Sequence, residues 1–181
     1  MNRFAYHYSD IVRPELIDKY PVKNKLSLPK FNKVVISVSS AAVVADKKVL
    51  SSLVAAIELL SGRRPCISVA RKSVASFKLR RGMVLGCKVT LQGDAMYSFL
   101  DRFGTIALPR TKDFRGYTCK KLDSNGNISF GVKDFFVFPE VEFHYEKFDR
   151  AYGFNVTLVS NSGEDTVSFS LCSLFRIPLV R

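Results

Sequence analysis

The chain has 181 residues, 47% of them hydrophobic, and carries 28 Lys and Arg against 16 Asp and Glu, a formal charge of +12. That length suits one domain, 1–181, and its apolar share supplies a real core, which excludes a chain disordered throughout. No run of eighteen apolar residues occurs, so no transmembrane helix is expected.

The start, MNRFAYHYSDIVRPEL, has neither the apolar core of a signal peptide nor the acid-poor character of a transit peptide, so either the protein stays where it is made or this start is already mature. Residues 4–20 read as an opening helix that Pro14 should kink or split. The stretch PVKNKLSLPK (21–30) reads as a loop, which completes an N-terminal helix-and-loop segment over 1–30. FNKVVISVS (31–39) alternates: Val34, Ile36 and Val38 point one way, Lys33, Val35, Ser37 and Ser39 the other, as in a strand with one buried face. In ADKKVLSSLVAAIELLSG (45–62), Asp46 is a natural N-cap and Gly62 a natural stop. Val49, Leu50, Leu53, Val54, Ile57 and Leu60 form an apolar stripe at helical spacing. RRPCISVA (63–70) is a short extended piece.

ARKSVASFKLRRG (70–82) follows, with Arg71, Lys72, Lys78, Arg80 and Arg81 and no acid. Val74 and Phe77 in its middle are expected to anchor the loop by local packing, with stacking on a ribose or base as the alternative. MVLGCKVTLQG (83–93) is a strand with Leu85, Cys87, Val89 and Leu91 on one face and Gly86, Lys88, Thr90 and Gln92 on the other. Asp94 is expected to cap a second helix, with Met96, Phe99, Leu100, Phe103 and Ala107 facing inward and Pro109 limiting it. LPRTKDFRGY (108–117) is a cationic loop. Asn125-Gly126, between extended stretches in CKKLDSNGNISFGV (119–132), is a hairpin signal. DFFVFPEVEFHYEKFDRAYG (134–153) is aromatic, acidic and irregular, FNVTLVS (154–160) is a strand, and EDTVSFSLCSLF (164–175) fits a short helix or a strand. Together these predict an α+β fold: an antiparallel-rich sheet with helices packed on one face and a long basic loop over 71–82.

Charge distribution carries the functional signal. Residues 1–93 hold 17 cations and 5 acids, the whole of the excess; residues 94–181 hold 11 of each. Between Glu58 and Asp94 stand eight cations and no acid. A single-sign field this concentrated marks a polyanion partner, and an uncovered sheet face bearing Lys33, Ser37, Lys88 and Thr90 suits RNA phosphates and 2′-hydroxyls. Attachment to an anionic membrane surface would need an amphipathic helix with a free apolar face, which the sequence lacks.

Catalytic signatures are absent. There is no nucleophile elbow, phosphate loop or dinucleotide fingerprint, so no enzyme and no cofactor are expected. The four cysteines, 66, 87, 119 and 172, form no C-x-x-C pair and lie far from His7 and His144, so no metal site is predicted. Glu140, Glu142, Glu146 and Asp149 around His144 fit no ligand spacing and read as an exposed acidic loop.

The runs ARKSVASFKLRRG (70–82), GCKVTLQG (86–93), PRTKDFRG (109–116), GNISFGVKD (126–134) and FPE (138–140) are ordered along nearly the whole chain. In them the sequence closely resembles the bacterial and organellar form of large-ribosomal-subunit protein five. The resemblance implies a structural role in the central protuberance, binding 5S ribosomal RNA or its equivalent, contacting P-site tRNA and reaching a small-subunit head protein. It puts the ribosomal RNA contacts at Lys33, Ser37, Arg63, Arg64, Lys88 and Thr90. The tRNA-facing loop falls at Arg71, Lys72, Ser73, Lys78, Arg80 and Arg81, and the intersubunit side at Arg110, Lys112 and Arg115. A free RNA-binding chaperone or regulatory module is the alternative.

Two departures stand out. Where the family shows an Asn and a glycine-rich turn after the first strand, this chain has SVSSAA (37–42), and where the family has Gln after the following helix, this chain has Arg63. This drift, with 15 Phe and no Trp, points to the mitochondrial ribosome ahead of a plastid or the bacterial cytoplasm.

Overall fold

The computed structural model describes residues 2–20, 24–112, 114–118, 122–123, 125–148 and 150–180. In chain order the regular elements are α1 (Arg3–His7), α2 (Arg13–Lys19), β1 (Phe31–Ser39), α3 (Ala42–Ala45), α4 (Lys47–Ser61), β2 (Cys66–Val69), β3 (Val84–Leu91), α5 (Asp94–Arg102), α6 (Leu108–Arg110), β4 (Tyr117–Thr118), β5 (Ile128–Val132), α7 (Pro139–Glu142), β6 (Phe154–Ser160), α8 (Asp165–Leu174) and β7 (Leu179–Val180). Five strands form an antiparallel sheet in the order β2-β3-β1-β6-β5, which makes the fold α+β. Burial alternates along β1, β5 and β6 and along the later half of β3, so one face of the sheet is covered. The segment 164–175, open to either reading from its spacing, is the helix α8.

The chain divides into two compact units. The first comprises residues 1–34, 91–130 and 157–181. Its core gathers aromatic rings around the fully buried Phe175, with Phe4, Tyr8, Phe31 and Tyr97 at centroid distances of 5.2–6.3 Å. A second stack runs Phe99–Phe103–Phe130–Tyr117, the last pair 4.3 Å apart, and burial pushes the Tyr117 hydroxyl up to about 12. The Asn125-Gly126 turn forms here: Asp123 accepts the N–H groups of Asn125 and Asn127, each at 2.9 Å, and Gly126 takes φ 73°. The hydroxyls of Ser160 and Ser168, both buried, each donate to the Gly126 carbonyl at 3.0 Å and fix that turn to β6 and α8. The first arm of the expected hairpin, at 119–121, lies outside the described residues. Just before it, Tyr117–Thr118 pairs in parallel with Leu179–Val180.

Pro14 does not end its helix, and Pro109 stands one residue before its helical path ends at Arg110. Each is the second residue of a new α-helical turn that follows a π-helical turn, Tyr8–Val12 before α2 and Phe103–Ala107 before α6. The N–H just before each proline reaches five residues back, Arg13 to Tyr8 O and Leu108 to Phe103 O. The wider turn makes room for a ring that would clash with the carbonyl four residues back, so the helical path continues to Lys19 and to Arg110. Asp94 is not the N-cap. Gly93 holds that position at φ 59°, and Asp94 is the first helical residue, where its charge still complements the helix dipole.

The second unit comprises residues 35–90 and 131–156. Asp46 accepts the Lys48 N–H at 2.8 Å and starts α4; Gly62, at φ 64°, ends it. Val49, Leu53, Ala56, Ile57 and Leu60 form its buried stripe. Phe135, Phe138, Phe148 and Phe154 pack the acidic, aromatic segment. Gly86 was expected on the open face beside Lys88. It is buried instead, because β1 approaches so closely that a Cβ there would sit 2.0 Å from the Val38 carbonyl oxygen.

Gly86→Ala must therefore displace backbone, and it should cost about 3 kcal/mol, at the upper end of overpacking penalties. Gly104→Ala, with open space around it, should leave stability unchanged or slightly raised. Urea denaturation midpoints of the two variants check the pair; equal midpoints would contradict the β1–β3 contact.

Candidate nucleic-acid interface

The interface is built on β2 and β3. They pair antiparallel with Cys66 opposite Lys88, Ile67 opposite Cys87 and Ser68 opposite Gly86. Since side chains alternate, Cys66, Ser68, Lys88 and Thr90 share the open face, and Cys87 and Val89 turn inward. Lys88 and Thr90 are exposed, and Ser37 on β1 is half-buried. Arg63 and Arg64 are both exposed and lead into β2 from the end of α4. The Ser61 hydroxyl lies 2.6 Å from Ile57 O and accepts the Arg63 N–H at 3.2 Å, which fixes where the two arginines leave the helix. These five residues belong to the second unit; Lys33, half-buried on β1, belongs to the first.

The basic segment continues the β2–β3 ladder rather than wandering. Ala70 donates to Met83 O at 2.8 Å and Gly82 to Ala70 O at 2.9 Å. Val74 and Leu79 exchange both backbone bonds at 3.0 Å around a single 3-10 turn, Ala75–Phe77. Lys78 takes the left-handed conformation, φ 53°, a strained choice for a residue with a side chain. Ser73 Oγ accepts the Arg81 N–H at 3.0 Å, so that hydroxyl helps shape the loop. Every side chain from Arg71 to Lys78 is exposed, as are Arg80 and Arg81. Phe77, expected to pack locally, is 73% exposed. The loop is too short and too hydrogen-bonded at Val74–Leu79 to fold the ring inward.

None of Arg63, Arg64, Arg71, Lys72, Lys78, Arg80, Arg81 or Lys88 forms an ion pair with a described residue. No contact partner among the described residues neutralises these cations, which leaves a surface that attracts polyanions. Arg110 ends α6, and Lys112 and Arg115 lie in the following loop, all three exposed in the first unit; Asp113 between them is outside the described residues.

The acidic segment holds a feature that sequence reasoning missed. Phe143 is 83% and Tyr145 62% exposed, between Glu142 and Glu146, both exposed. The loss of any regular period in EVEFHYEKF was the available signal. Among the described residues no three His, Cys, Asp or Glu side chains gather as a metal site, and no helix is long and apolar enough to cross a membrane.

The α+β fold presents a cationic loop, unpaired with any described residue, and a basic sheet face, the electrostatic character of a polyanion-binding surface. Comparison gives its family. A profile described as "Ribosomal protein L5" matches residues 24–80, and one described as the C-terminus of the same ribosomal family matches residues 84–179. The chain is 42% identical over 178 residues to "Large ribosomal subunit protein uL5" of Neisseria gonorrhoeae, covering 98% of both chains. It is 41% identical, with the same coverage, to the protein so described from Neisseria meningitidis. The chain belongs to the ribosomal protein L5 family; it is a structural ribosomal protein and not an enzyme.

The face assignment predicts thiol reactivity. Burial pushes the Cys87 thiol up to about 11, whereas Cys66 is exposed on the open face. Iodoacetamide at mildly alkaline pH should alkylate Cys66 in the native protein and Cys87 only after unfolding, read peptide by peptide by mass spectrometry. Equal native rates would mean that the two faces of β3 had been exchanged.

Proposed function

We propose that this ribosomal protein is a structural constituent of the large subunit that binds 5S ribosomal RNA, or the RNA element that replaces it, in the central protuberance. The observation that carries the reading is the run of eight cations without an acid between Glu58 and Asp94, exposed and without an ion pair to any described residue, in a chain matched along 98% of its length by large-subunit proteins. Lys33, Ser37, Arg63, Arg64, Lys88 and Thr90 form the ribosomal RNA contact. Phosphates take the cations, and the two hydroxyl side chains suit ribose 2′-hydroxyls. The loop residues Arg71, Lys72, Ser73, Lys78, Arg80 and Arg81 meet P-site tRNA. Contacts to phosphate without base readout suit a protein that must accept every tRNA. All of 1–181 acts as one module in this role.

A small-subunit head protein is the proposed partner on the intersubunit side. Arg110, Lys112 and Arg115 are candidates there. The exposed Phe143 and Tyr145 between Glu142 and Glu146 suit a cationic protein surface better than RNA, which the acids repel. The proposed compartment is the mitochondrion, supported by the replacement of the glycine-rich turn by SVSSAA; the Neisseria relatives support a ribosome of bacterial type, and the bacterial cytoplasm is the alternative that fits them.

The competing reading is a free RNA chaperone. Sedimentation in high salt separates them: a structural constituent stays with the large subunit, and a free module washes off. Arg63→Glu with Lys88→Glu should abolish binding to 5S RNA at moderate salt, whereas the wild type should show a steep inverse dependence of affinity on salt. Unchanged affinity would remove the sheet face from the interface. Lys78→Ala with Arg80→Ala and Arg81→Ala should weaken P-site tRNA retention about tenfold while leaving the protein in assembled subunits, because these side chains lie outside the core. Subunits that lack the triple variant would contradict the division of labour.

A further inference from the structure

We propose that the tip of the basic loop holds one unpaired nucleobase in an apolar cleft, stacked on Phe77. The cleft has a volume of about 640 Å³ and is lined by Ser39, Ser40, Ala41, Val44, Phe77, Leu79 and Leu85, with Lys78 at its edge. That size falls within the ~300–1,000 Å³ of ligand-binding clefts. A second cleft of about 680 Å³ adjoins it through the shared Val44 and is edged by Arg80 and Arg81.

The occupant follows from the chemistry of wall and rim. The walls are mostly apolar, with Ser39 and Ser40 on the strand side and the largely exposed Phe77 ring on the loop side. The rim carries Lys78, and Arg80 and Arg81 edge the adjoining cleft; none of the three is ion-paired to a described residue. A ligand flat and apolar at one end and anionic at the other matches both, and an extruded nucleotide has that form. An apolar peptide side chain fits the walls but leaves the cations unmatched, and an acidic peptide fits the rim but leaves Phe77 without a stacking partner.

The segment SVSSAA gives the cleft its inner wall, through Ser39, Ser40 and Ala41. This chain therefore places, beside the loop, side chains where a glycine-rich turn would leave bare backbone. The strand end and the loop tip, which the sequence resemblance assigns to different RNAs, line one cleft. Lys78 takes a left-handed backbone, φ 53°, directly after Phe77 and ends the turn that carries the ring.

The proposal rests on the RNA-binding reading of this loop, and the test separates the two. The full chain is titrated with a short single-stranded RNA carrying one purine among uridines and with the same RNA made abasic at that position. Wild type should prefer the purine RNA about tenfold, consistent with stacking of one base. Phe77→Ala should bind both RNAs alike with the wild-type salt slope, and Phe77→Tyr should restore the preference. Equal binding of both RNAs by wild type, with a normal salt slope, overturns the cleft while leaving RNA binding intact. No binding of either RNA overturns both. In purified ribosomes, a photoreactive phenylalanine analogue at position 77 should crosslink to a nucleotide; a crosslink to a ribosomal protein would mean that a side chain fills the cleft, and would overturn the proposal.

Discussion

The antiparallel pairing of β2 with β3 is the interaction on which the functional surface depends. With Cys66 opposite Lys88, it fixes which side of the sheet carries the exposed cation and hydroxyl of Lys88 and Thr90, and which side is buried with Cys87 and Val89. A slip of one residue would exchange the two faces. The same ladder, prolonged by Ala70–Met83 and Val74–Leu79, carries the basic segment as an extension of the hairpin. Gly86 makes the pairing with β1 possible, since any side chain at that point would meet the Val38 carbonyl.

Charge is then placed by exclusion rather than by pairing. Buried cations need partners, so a segment with eight cations and no acid has no route into the core. The loop and strand expose them, and the field they create is screened over about 8 Å at physiological salt, so it acts on partners that come close. The acids are elsewhere in sequence, and in the second unit they surround two exposed aromatic rings in 140–146. One unit thus carries two surfaces of opposite sign, one suited to nucleic acid and one to a cationic protein.

Much of the fold was legible because single residues act locally. Asp46 and Gly62 mark α4 through their own hydrogen bond and backbone angle, and the alternation of β1, β3 and β6 follows from burial of one face. What escaped depended on neighbours distant in sequence. Pro14 and Pro109 looked like breakers because an α-helix cannot hold them, and a π-helical turn is invisible in composition. Gly86 looked like an ordinary alternating position because the close approach of Val38 is a tertiary fact. Phe77 was read as a packing residue because apolar residues in short basic runs often are, and its exposure follows from the tight Val74–Leu79 closure. For the candidate site, residue type and charge were legible, and the cleft between the loop and SVSSAA was not, since its two walls lie nearly forty residues apart in the chain.

The account stands or falls on what the β2–β3 face touches inside the ribosome. Ultraviolet crosslinking in purified ribosomes, followed by sequencing of the attached RNA and mapping of the crosslinked peptides, reads this directly. The account predicts crosslinks from the peptides containing Arg63, Arg64 and Lys88 to 5S RNA or its replacement, and from the peptides of 71–82 to tRNA. Crosslinks from those peptides only to proteins, with RNA attached solely through other parts of the chain, would contradict it.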